Sequence, residues 1–536
     1  MKNTRSLKRW PLALACLALG AALTVIHAPL SIAAAIFLIF PALLRLMDIT
    51  ADRADTAMGR AWRGFGVGWL FGYGYFFLGL LWLGEAYSIT PGDGWKYPVL
   101  AFGFPVYLAL FYGIGFAIAG AMWTSSVWRI FALGLAFFVA EWLRGTVLSG
   151  FTLMAVGEVV LFSKVVTPLV GAIGVVGANG LVPVVGCLPL VGMSLWAGRR
   201  SSWTVTAILL VMIGGGIIYL QTGRSTADGK PIADVRILQT AFTPTEKWNP
   251  DLAVRAANLA SMVKLTNQPR EDGSRPTHVI WPETAFALFP EMEPHVVNDV
   301  VSQLVGSPTF VAGGMRSEHT VTGVRIFNTV FTGRAGKWSS IYDKQHLIPS
   351  EEFIPWRGLF EALGIANWII PAADYSLEWG TRSKAVAIPN AAPALLAICF
   401  EILFSGEIVA AYNDAPAKPE WMVVVSDNSW FVLTQGSDIL LAQSRLRAAE
   451  MGMPLVQAAN HGISALIEPD GSVREKIGLG KAGVIDAKIP GGASGTFYSE
   501  NSCLVWWLIL AGLASGGTMG FLPGRKGFII GPAINA

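Results

Sequence analysis

Charged residues are scarce in this chain of 536 residues: Asp, Glu, Lys and Arg make up 14% of it, whereas 53% is hydrophobic. Soluble domains contain about 25% charged residues, so this composition excludes an ordinary soluble protein and indicates a chain that crosses a membrane several times. The formal net charge is only +3. Because the basic residues lie near apolar segments instead of forming one stripe, we expect no nucleic-acid partner.

Cysteine is also rare, with four residues in the whole chain. Cys16, Cys187 and Cys503 lie in long apolar segments, so no disulfide framework can form and cysteine usage does not reveal the redox compartment. No HxxxH or paired-cysteine spacing of the kind that binds a metal occurs, and we expect neither a metal nor another cofactor. Cys399 is the only thiol in a polar region.

Apolar segments dominate the first 221 residues and return near the end. The basic tail before the first segment resembles the start of a signal peptide, but a second apolar segment follows at once and favours an uncleaved pair of spanning helices over a cleaved signal. We predict eight spans, at residues 10–26, 29–46, 65–87, 97–123, 127–142, 169–197, 203–220 and 502–521.

Lys and Arg placement orients these spans, because short cytoplasmic loops carry an excess of positive residues. With the basic tail inside, the loops at 45–63 and 198–200 also lie inside, whereas the acidic loop at 85–93 lies outside. The same alternation puts the long polar region outside, which in a bacterium is the periplasm. The expected localisation is therefore the bacterial inner membrane, with several passes.

Three regions follow from this topology. We predict a transmembrane domain with seven helices at residues 1–221, a periplasmic domain at 222–498, and a last transmembrane helix with a cytoplasmic tail at 499–536. Within the periplasmic region, short β-branched runs alternate with helical patterns, which predicts a sheet covered by helices. The predicted strands are 235–239, 279–281, 309–312, 328–332, 340–342, 385–388, 394–398, 422–425, 455–459, 464–467 and 483–485, and the predicted helices are 252–266, 294–305, 405–412 and 437–451.

Three chemically suited residues, Glu283, Lys344 and Cys399, follow directly on predicted strands. Sites collect at strand ends in layered α/β folds. A thiol becomes a good nucleophile only when a base takes its proton, and a cation then stabilises the thiolate and the oxyanion. Glu, Lys and Cys are the residue types for these roles, so the ordered set predicts acyl transfer through a cysteine nucleophile.

Each residue alone also fits a structural role. A cysteine after an apolar run is usually a small buried hydrophobe, Glu283 after Pro282 fits a helix N-terminal acid, and Lys344 beside Asp343 fits a solvated ion pair. His346 is a tempting base, but we interpret it as a packing or lid residue because the set already contains a base. The order of the three residues favours catalysis over these readings.

These segments resemble the Glu-Lys-Cys triad of the carbon-nitrogen hydrolase (nitrilase) superfamily, and the eight spans around them resemble the apolipoprotein N-acyltransferase family. Further matches are Glu-Trp-Leu-Arg-Gly at 141–145, Lys-Trp at 247–248, the run at 426–431 and the run at 443–450. The resemblance implies an α-helical membrane domain joined to a nitrilase-like αββα sandwich. It also implies a phospholipid acyl donor and a lipid-modified lipoprotein acceptor.

The same resemblance implies roles for individual residues. Glu283 is the general base, Lys344 the oxyanion-stabilising cation, Cys399 the residue acylated as a thioester, and Glu352 a second essential glutamate that helps orient the site. A further group is implied to bind substrate or to support the site: Glu401, Trp248, Phe400 and Trp430, with Glu141 and Arg144 shaping a lipid entrance or forming an interfacial salt bridge.

The chain departs from the family's pattern in three places. Ser350-Glu351 replaces Phe-Gly ahead of the second glutamate, Ser426-Asp427-Asn428 inverts the usual Ser-Asn-Asp order, and Gln457 stands where Arg is usual. These changes suggest a divergent member or paralogue with a different acyl acceptor. Two rival hypotheses stay open: a membrane-tethered amidase or hydrolase that uses water as the second acceptor, and a transporter or scaffold whose polar domain is a binding module.

Overall fold

A computed structural model describes residues 9–84, 94, 96–198, 200–222, 229–321, 323–334, 337–349, 351–353, 355, 357–364, 376–431, 434–493 and 495–521. The chain forms two compact units. One comprises Met1–Arg224 and Asn501–Ala536, and the other comprises Ser225–Glu500. The two are described separately below.

Six helices in the described ranges are long and apolar enough to cross a membrane, where we predicted eight spans. These candidate spans are Ala33–Ala51, Ala57–Gly84, Val99–Ala121, Thr167–Trp196, Ser202–Tyr219 and Phe497–Phe521. The other two predicted spans are also helical, but Trp10–Ile26 is shorter and Arg129–Thr146 contains Arg129, Glu141 and Arg144 within 18 residues. The chain is thus a multi-pass membrane protein.

Individual helices in the membrane unit are bounded as follows: Arg9–Leu23, Ile36–Ala51, Ala57–Leu80, Lys96–Pro98, Phe104–Ala121, Arg129–Thr146, Val170–Gly186, Leu188–Trp196, Arg200–Thr222 and Phe497–Thr518. Helices Ala57–Leu80 and Phe104–Ala121 approach each other closely along glycines spaced by four. A Cβ atom on Gly64 would lie 2.3 Å from the carbonyl oxygen of Phe116, so only glycine permits this contact. Small residues at such spacing replace the hydrophobic driving force that helices lack in lipid.

The second unit contains two six-stranded sheets. The strands are β1 Pro231–Gln239, β2 His278–Ile280, β3 Thr309–Thr320, β4 Gly323–Arg334, β5 Lys337–Asp343, β6 Ala385–Val386, β7 Ala394–Ile398, β8 Trp421–Asp427, β9 Leu455–Asn460, β10 Ser464–Ile467, β11 Val473–Ile477 and β12 Gly483–Pro490. Their orders are β12-β1-β2-β3-β4-β5 and β11-β10-β9-β8-β7-β6. Helices in this unit are Pro244–Lys247, α1 Leu252–Thr266, α2 Pro294–Ser302, Arg357–Ala362, α3 Ser405–Asp414 and α4 Gly436–Met451.

The two sheets pack face to face through their apolar side chains. Ile237 and Val311 of the first sheet share a buried cluster with Leu396 and Val423 of the second. On the outer face of the first sheet, Trp281 belongs to a separate cluster that includes residues of α1 and α2. Helix α4 covers the second sheet at β9 and β10. The predicted αββα sandwich is therefore confirmed.

Sequence reasoning missed strand β11 because three charged residues, Arg474, Glu475 and Lys476, occupy its centre. This strand lies at the edge of its sheet, and these three side chains are exposed. Charged edge strands are common because they discourage pairing with other chains. They also lack the alternating apolar pattern from which a strand is recognised.

Strand direction explains why the predicted site residues meet. Strands β2 and β3 are parallel, and β4 is antiparallel to both β3 and β5, so β5 runs in the direction of β2. Glu283 and Lys344 therefore follow strands that end at the same edge of the first sheet. Cys399 follows β7, which is parallel to its neighbour β8, and β8 ends at Asp427.

Candidate active site

Glu283 is buried, and both of its carboxylate oxygens accept hydrogen bonds. Oε1 accepts from Asn328 Nδ2 at 2.7 Å, and Oε2 accepts from the backbone N–H of Asp427 at 2.7 Å. Burial raises the pKa of Glu283, and the nearby carboxylates of Glu352 and Asp427 raise it further against the lowering effect of Lys344 and Lys247. A carboxylate with a raised pKa in a dry site is suited to accept a proton.

Lys344 lies beside this carboxylate, with Nζ 3.9 Å from Glu283 Oε1 and 2.7 Å from Glu352 Oε1. Burial alone would lower the pKa of Lys344, but Glu352 and Glu283 raise it above its usual value, so the ammonium stays charged at neutral pH. Its backbone N–H donates to the Asn328 carbonyl at 2.8 Å, and its carbonyl accepts from Gly380 N at 2.7 Å. The side chain is thus a fixed, buried positive charge.

Cys399 occupies a strained turn at the end of β7, with φ at +51°. A non-glycine residue in this region costs on the order of 1–3 kcal/mol, and such strain collects at functional sites. Burial raises the pKa of the thiol to about 12; Glu283 raises it too, whereas Lys344 and a hydrogen bond with Ser426 lower it. The resting group is therefore a thiol, and it needs a neighbouring base to become a nucleophile.

Glu352 joins the site through a short turn. Its Oε2 accepts from the backbone N–H of Ile348 at 2.8 Å, while its own N–H donates to the Ile348 carbonyl at 2.9 Å. The other carboxylate oxygen of Glu352, Oε1, accepts a hydrogen bond from Lys344 Nζ. Glu351 is exposed beside it, and Ser350 lies outside the described residues.

Glu401 is fully buried and connects the turn of Cys399 with the segment that follows β5. Oε2 accepts from the backbone N–H of Ile398 at 2.8 Å, and Oε1 accepts from the backbone N–H groups of Gln345 and His346 at 2.8 and 3.1 Å. Burial would raise its pKa, but Lys384, whose Nζ lies 2.7 Å from Oε1, lowers it below the usual value. Glu401 therefore holds the segments that carry Lys344 and Cys399. Sequence reasoning missed Lys384, which no motif distinguishes.

The predicted aromatic residues take different positions. Phe400 packs against His346 and Phe404, with ring centroids 6.0 and 5.4 Å apart. His346 also stacks on Phe404 and lies 2.6 Å from Glu407 through Nδ1, which agrees with a packing residue. Trp248 and Trp430 are 42% and 40% exposed and so have surface available for another molecule. Their roles along an acyl or acceptor path stay predictions.

Glu141 and Arg144 belong to the membrane unit, whereas the other predicted site residues belong to the second unit. Both are buried and form a salt bridge with each other, so their side chains are not exposed ones that snorkel along the helix. Arg144 donates to Glu141 and to the carbonyls of Phe151 and Leu153, and Tyr112 donates to Glu141 at 2.6 Å. The pair thus ties its helix to the following segment, because buried charges require such partners. A role in a lipid entrance stays a prediction.

A cavity of about 300 Å³ adjoins Glu283 on the side of helix α1. Its lining is mostly apolar, with Phe242, Leu259 and Met262, and Lys247 also borders it. Among the described residues, no group of three His, Cys, Asp or Glu side chains is arranged to hold a metal ion. The sandwich thus combines a buried carboxylate, a buried ammonium and a buried thiol, each of which follows the end of a strand.

This fold and residue set define the carbon-nitrogen hydrolase class, here in a chain with membrane helices. The family model for carbon-nitrogen hydrolases matches residues 255–496, and the model for the apolipoprotein N-acyltransferase N-terminal domain matches residues 19–188. The chain belongs to the apolipoprotein N-acyltransferase family.

Curated relatives support this membership over nearly the whole chain. The apolipoprotein N-acyltransferase of Rhodopseudomonas palustris is 30% identical over 92% of both chains, and that of Rhizobium etli is 31% identical over 97% of this chain and 98% of its own. That of Bradyrhizobium diazoefficiens is 32% identical over 92% of this chain and 91% of its own. A solved amidase of the nitrilase superfamily from Nesterenkonia AN1 is similar with a TM-score of 0.33 and 14% identity, covering 51% of this chain and 94% of that one.

Proposed function

We propose that this protein is a phospholipid-dependent N-acyltransferase. It forms a thioester on Cys399 and transfers the acyl chain to the N-terminal amino group of the diacylglyceryl-cysteine of lipoproteins. The observation that carries the proposal is the buried set of Glu283, Lys344 and Cys399, each following the end of a strand, in a chain of this family. Its substrates are lipids and lipid-modified proteins, which accounts for membrane helices joined to a cysteine enzyme.

In the first half-reaction, Cys399 Sγ attacks the ester carbonyl of the phospholipid while Glu283 takes the thiol proton. The tetrahedral oxyanion lies near the ammonium of Lys344, a charge that needs no reorganisation as the reaction proceeds. The intermediate collapses, the ester C–O bond breaks, and Glu283 returns the proton to the departing lysophospholipid oxygen. Glu352 holds Lys344 in place at 2.7 Å throughout.

In the second half-reaction, the acceptor amine attacks the thioester carbonyl and Glu283 accepts a proton from that amine. The C–S bond then breaks, an amide is formed, and Glu283 gives the proton it accepted to the departing thiolate, which restores the thiol of Cys399. The overall reaction is a ping-pong acyl transfer that needs no metal or other cofactor for its atoms and charges to balance.

The same proposal includes topology. Residues 1–221 form the transmembrane domain, residues 222–498 the periplasmic catalytic domain, and residues 499–536 the last span and a cytoplasmic tail, in the inner membrane of a bacterium. Basic residues in the short loops on one side support this orientation. Of the predicted supporting residues, Trp248, Phe400 and Trp430 are assigned to the acyl-chain and acceptor path, and Glu401 to support of the site.

Measuring whether the acyl chain goes to an amine or to water distinguishes this activity from that of the rival hydrolase. Purified protein in detergent receives dipalmitoyl phosphatidylethanolamine and a synthetic diacylglyceryl-cysteine peptide, and products are measured by mass spectrometry. We expect acylated peptide and lysophospholipid in equal amounts. Release of free palmitate with no acylated peptide would contradict the transferase and favour the hydrolase. An N-acetylated peptide is the matched control, because its blocked amine cannot accept the chain.

A further inference from the structure

We infer that the buried pair of Lys247 and Asp427 is a positioning device for Glu283, which fixes the base from its backbone and from its carboxylate at once. This inference rests on the proposed role of Glu283 as proton acceptor. Neither residue has a role in the mechanism above, and both are about 95% buried in the sandwich, with 5% of each side chain exposed.

Lys247 holds the backbone of the base. Its Nζ donates to the carbonyl of Glu283 at 2.8 Å, to Thr284 Oγ1 at 2.5 Å and to Asp427 Oδ2 at 2.5 Å. All three donors of the ammonium are thereby used, and two of them fix consecutive residues at the end of β2. Lys247 is the last residue of the short helix Pro244–Lys247. A hydrogen-bonded capping box between Thr243 and Glu246 stabilises the N-terminus of this helix.

Asp427 holds the carboxylate. Its backbone N–H donates to Glu283 Oε2, while its own side chain is fixed by Lys247 at Oδ2 and by Asn460 Nδ2 and Ser429 N at Oδ1, at 3.0 and 3.1 Å. Asp427 is the last residue of β8 in the second sheet, whereas Glu283 follows β2 in the first sheet. The hydrogen bond between them therefore connects the base with the sheet whose strand β7 leads to Cys399.

The backbone at Glu283 requires such a clamp. Thr284 has φ at +44°, a conformation that is strained for a β-branched residue. The chain here also packs tightly on β3, where a Cβ atom on Gly313 would lie 2.4 Å from Thr284 N. A strained turn persists only when surrounding contacts hold it, and Lys247 contacts both residues of this one.

The two members of the pair also act on the pKa of Glu283 in opposite directions. Besides burial, four charged groups act on Glu283: Lys344 and Lys247 favour its ionised form, and Glu352 and Asp427 oppose it. Asp427 raises the pKa of Glu283 and Lys247 lowers it. Removing either member alone therefore changes the pKa of the base in a known direction, whereas the two changes oppose each other when both members are removed.

The test measures the pH dependence of acylation in the full-length protein. Single-turnover rates of thioester formation from dipalmitoyl phosphatidylethanolamine are measured by intact mass for wild type, Lys247→Met, Asp427→Asn and the double variant. The acid limb is the low-pH side of the pH–rate profile, where the acylation rate rises with pH. It reports ionisation of the base, because a protonated Glu283 cannot accept the thiol proton. We expect this limb to move to lower pH by about one unit in Asp427→Asn and to higher pH by about one unit in Lys247→Met.

We expect the double variant to show the acid limb of wild type and an acylation rate at least tenfold lower, because the clamp on the strained turn is lost. Arg236→Met is the matched control: it removes a buried cation, paired with Asp486 at 2.7 Å, that lies outside the site. This control should lower thermal stability and leave the pH at which the acid limb of acylation occurs unchanged.

Acid limbs that stay in place, or that move in the same direction in both single variants, would overturn the inference. Each single variant decides the matter by the direction of its shift; if neither folds, a double variant with the wild-type rate overturns it. Absence of any thioester in wild type would instead overturn the proposed function.

Discussion

Replacing Glu283 by Gln is expected to slow acylation of Cys399 by about 10³-fold, within the range for loss of a general base. The thiol has its pKa raised to about 12 by burial first and by Glu283 next, so very little thiolate exists at neutral pH without a proton acceptor. Removing the negative charge lowers the thiol pKa somewhat, but the other carboxylates described for the site are already bound to lysines. These pairs are Glu352 with Lys344, Asp427 with Lys247 and Glu401 with Lys384. Single-turnover mass measurement of the acyl-enzyme gives the rate.

The fold should tolerate this change. Asn328 donates to Glu283 Oε1 through Nδ2, and its own Oδ1 is buried with no hydrogen-bond partner among the described residues. Rotation of that amide by a half turn presents the oxygen to the new amide of residue 283 and restores the contact. The matched control is Glu361→Gln, which alters an exposed carboxylate paired with Arg357. Equal rates for Glu283→Gln and this control would exclude Glu283 as the base.

Replacing Lys344 by Met is expected to reduce acylation by about 10²–10³-fold, the typical effect of losing one oxyanion-stabilising group. It should also lower the free energy of unfolding by roughly 3–5 kcal/mol, because a buried pair loses one partner and leaves the other charge uncompensated. Glu352 Oε1, 2.7 Å from Nζ, is that charge. Acylation rate and thermal unfolding are measured on the same preparations.

A double variant, Lys344→Met with Glu352→Gln, separates the two effects. With both charges removed, much of the lost stability should return, whereas the acylation rate should stay low because the oxyanion still lacks its cation. Recovery of acylation together with stability would contradict a chemical role for Lys344 and leave it a structural one.

Sequence patterns predicted a sheet covered by helices, and the strand ends predicted the meeting of Glu283, Lys344 and Cys399. The two-sheet sandwich was implied by the family resemblance. The buried strand β7 was predicted with its observed bounds, since a short apolar run before a chemically active residue is a strong signal. Strand β11 was missed because its exposed charges remove the apolar signal. The span count differed by two because Trp10–Ile26 is shorter than the six candidate spans and Arg129–Thr146 contains three charged residues.

The supporting contacts were beyond sequence reasoning. Asn328 lies in the middle of β4, and Lys384 lies just before β6, so neither stands at the end of a strand or in a motif. Lys247 and Asp427 were noted only as parts of family-like runs, and their ion pair spans 180 residues of sequence. Such pairs depend on how two sheets are placed against each other, which residue spacing along one chain does not encode.

The central claim is that Cys399 is acylated as a thioester by a phospholipid. The most direct measurement incubates the protein with dipalmitoyl phosphatidylethanolamine without an acceptor, determines its intact mass, and locates the added group by peptide mapping before and after neutral hydroxylamine. We predict a mass increase of one palmitoyl group on the peptide with Cys399, removed by hydroxylamine and absent in Cys399→Ala. A palmitoyl adduct that persists in Cys399→Ala, or wild-type transfer to the acceptor peptide with no adduct on Cys399, would contradict the account.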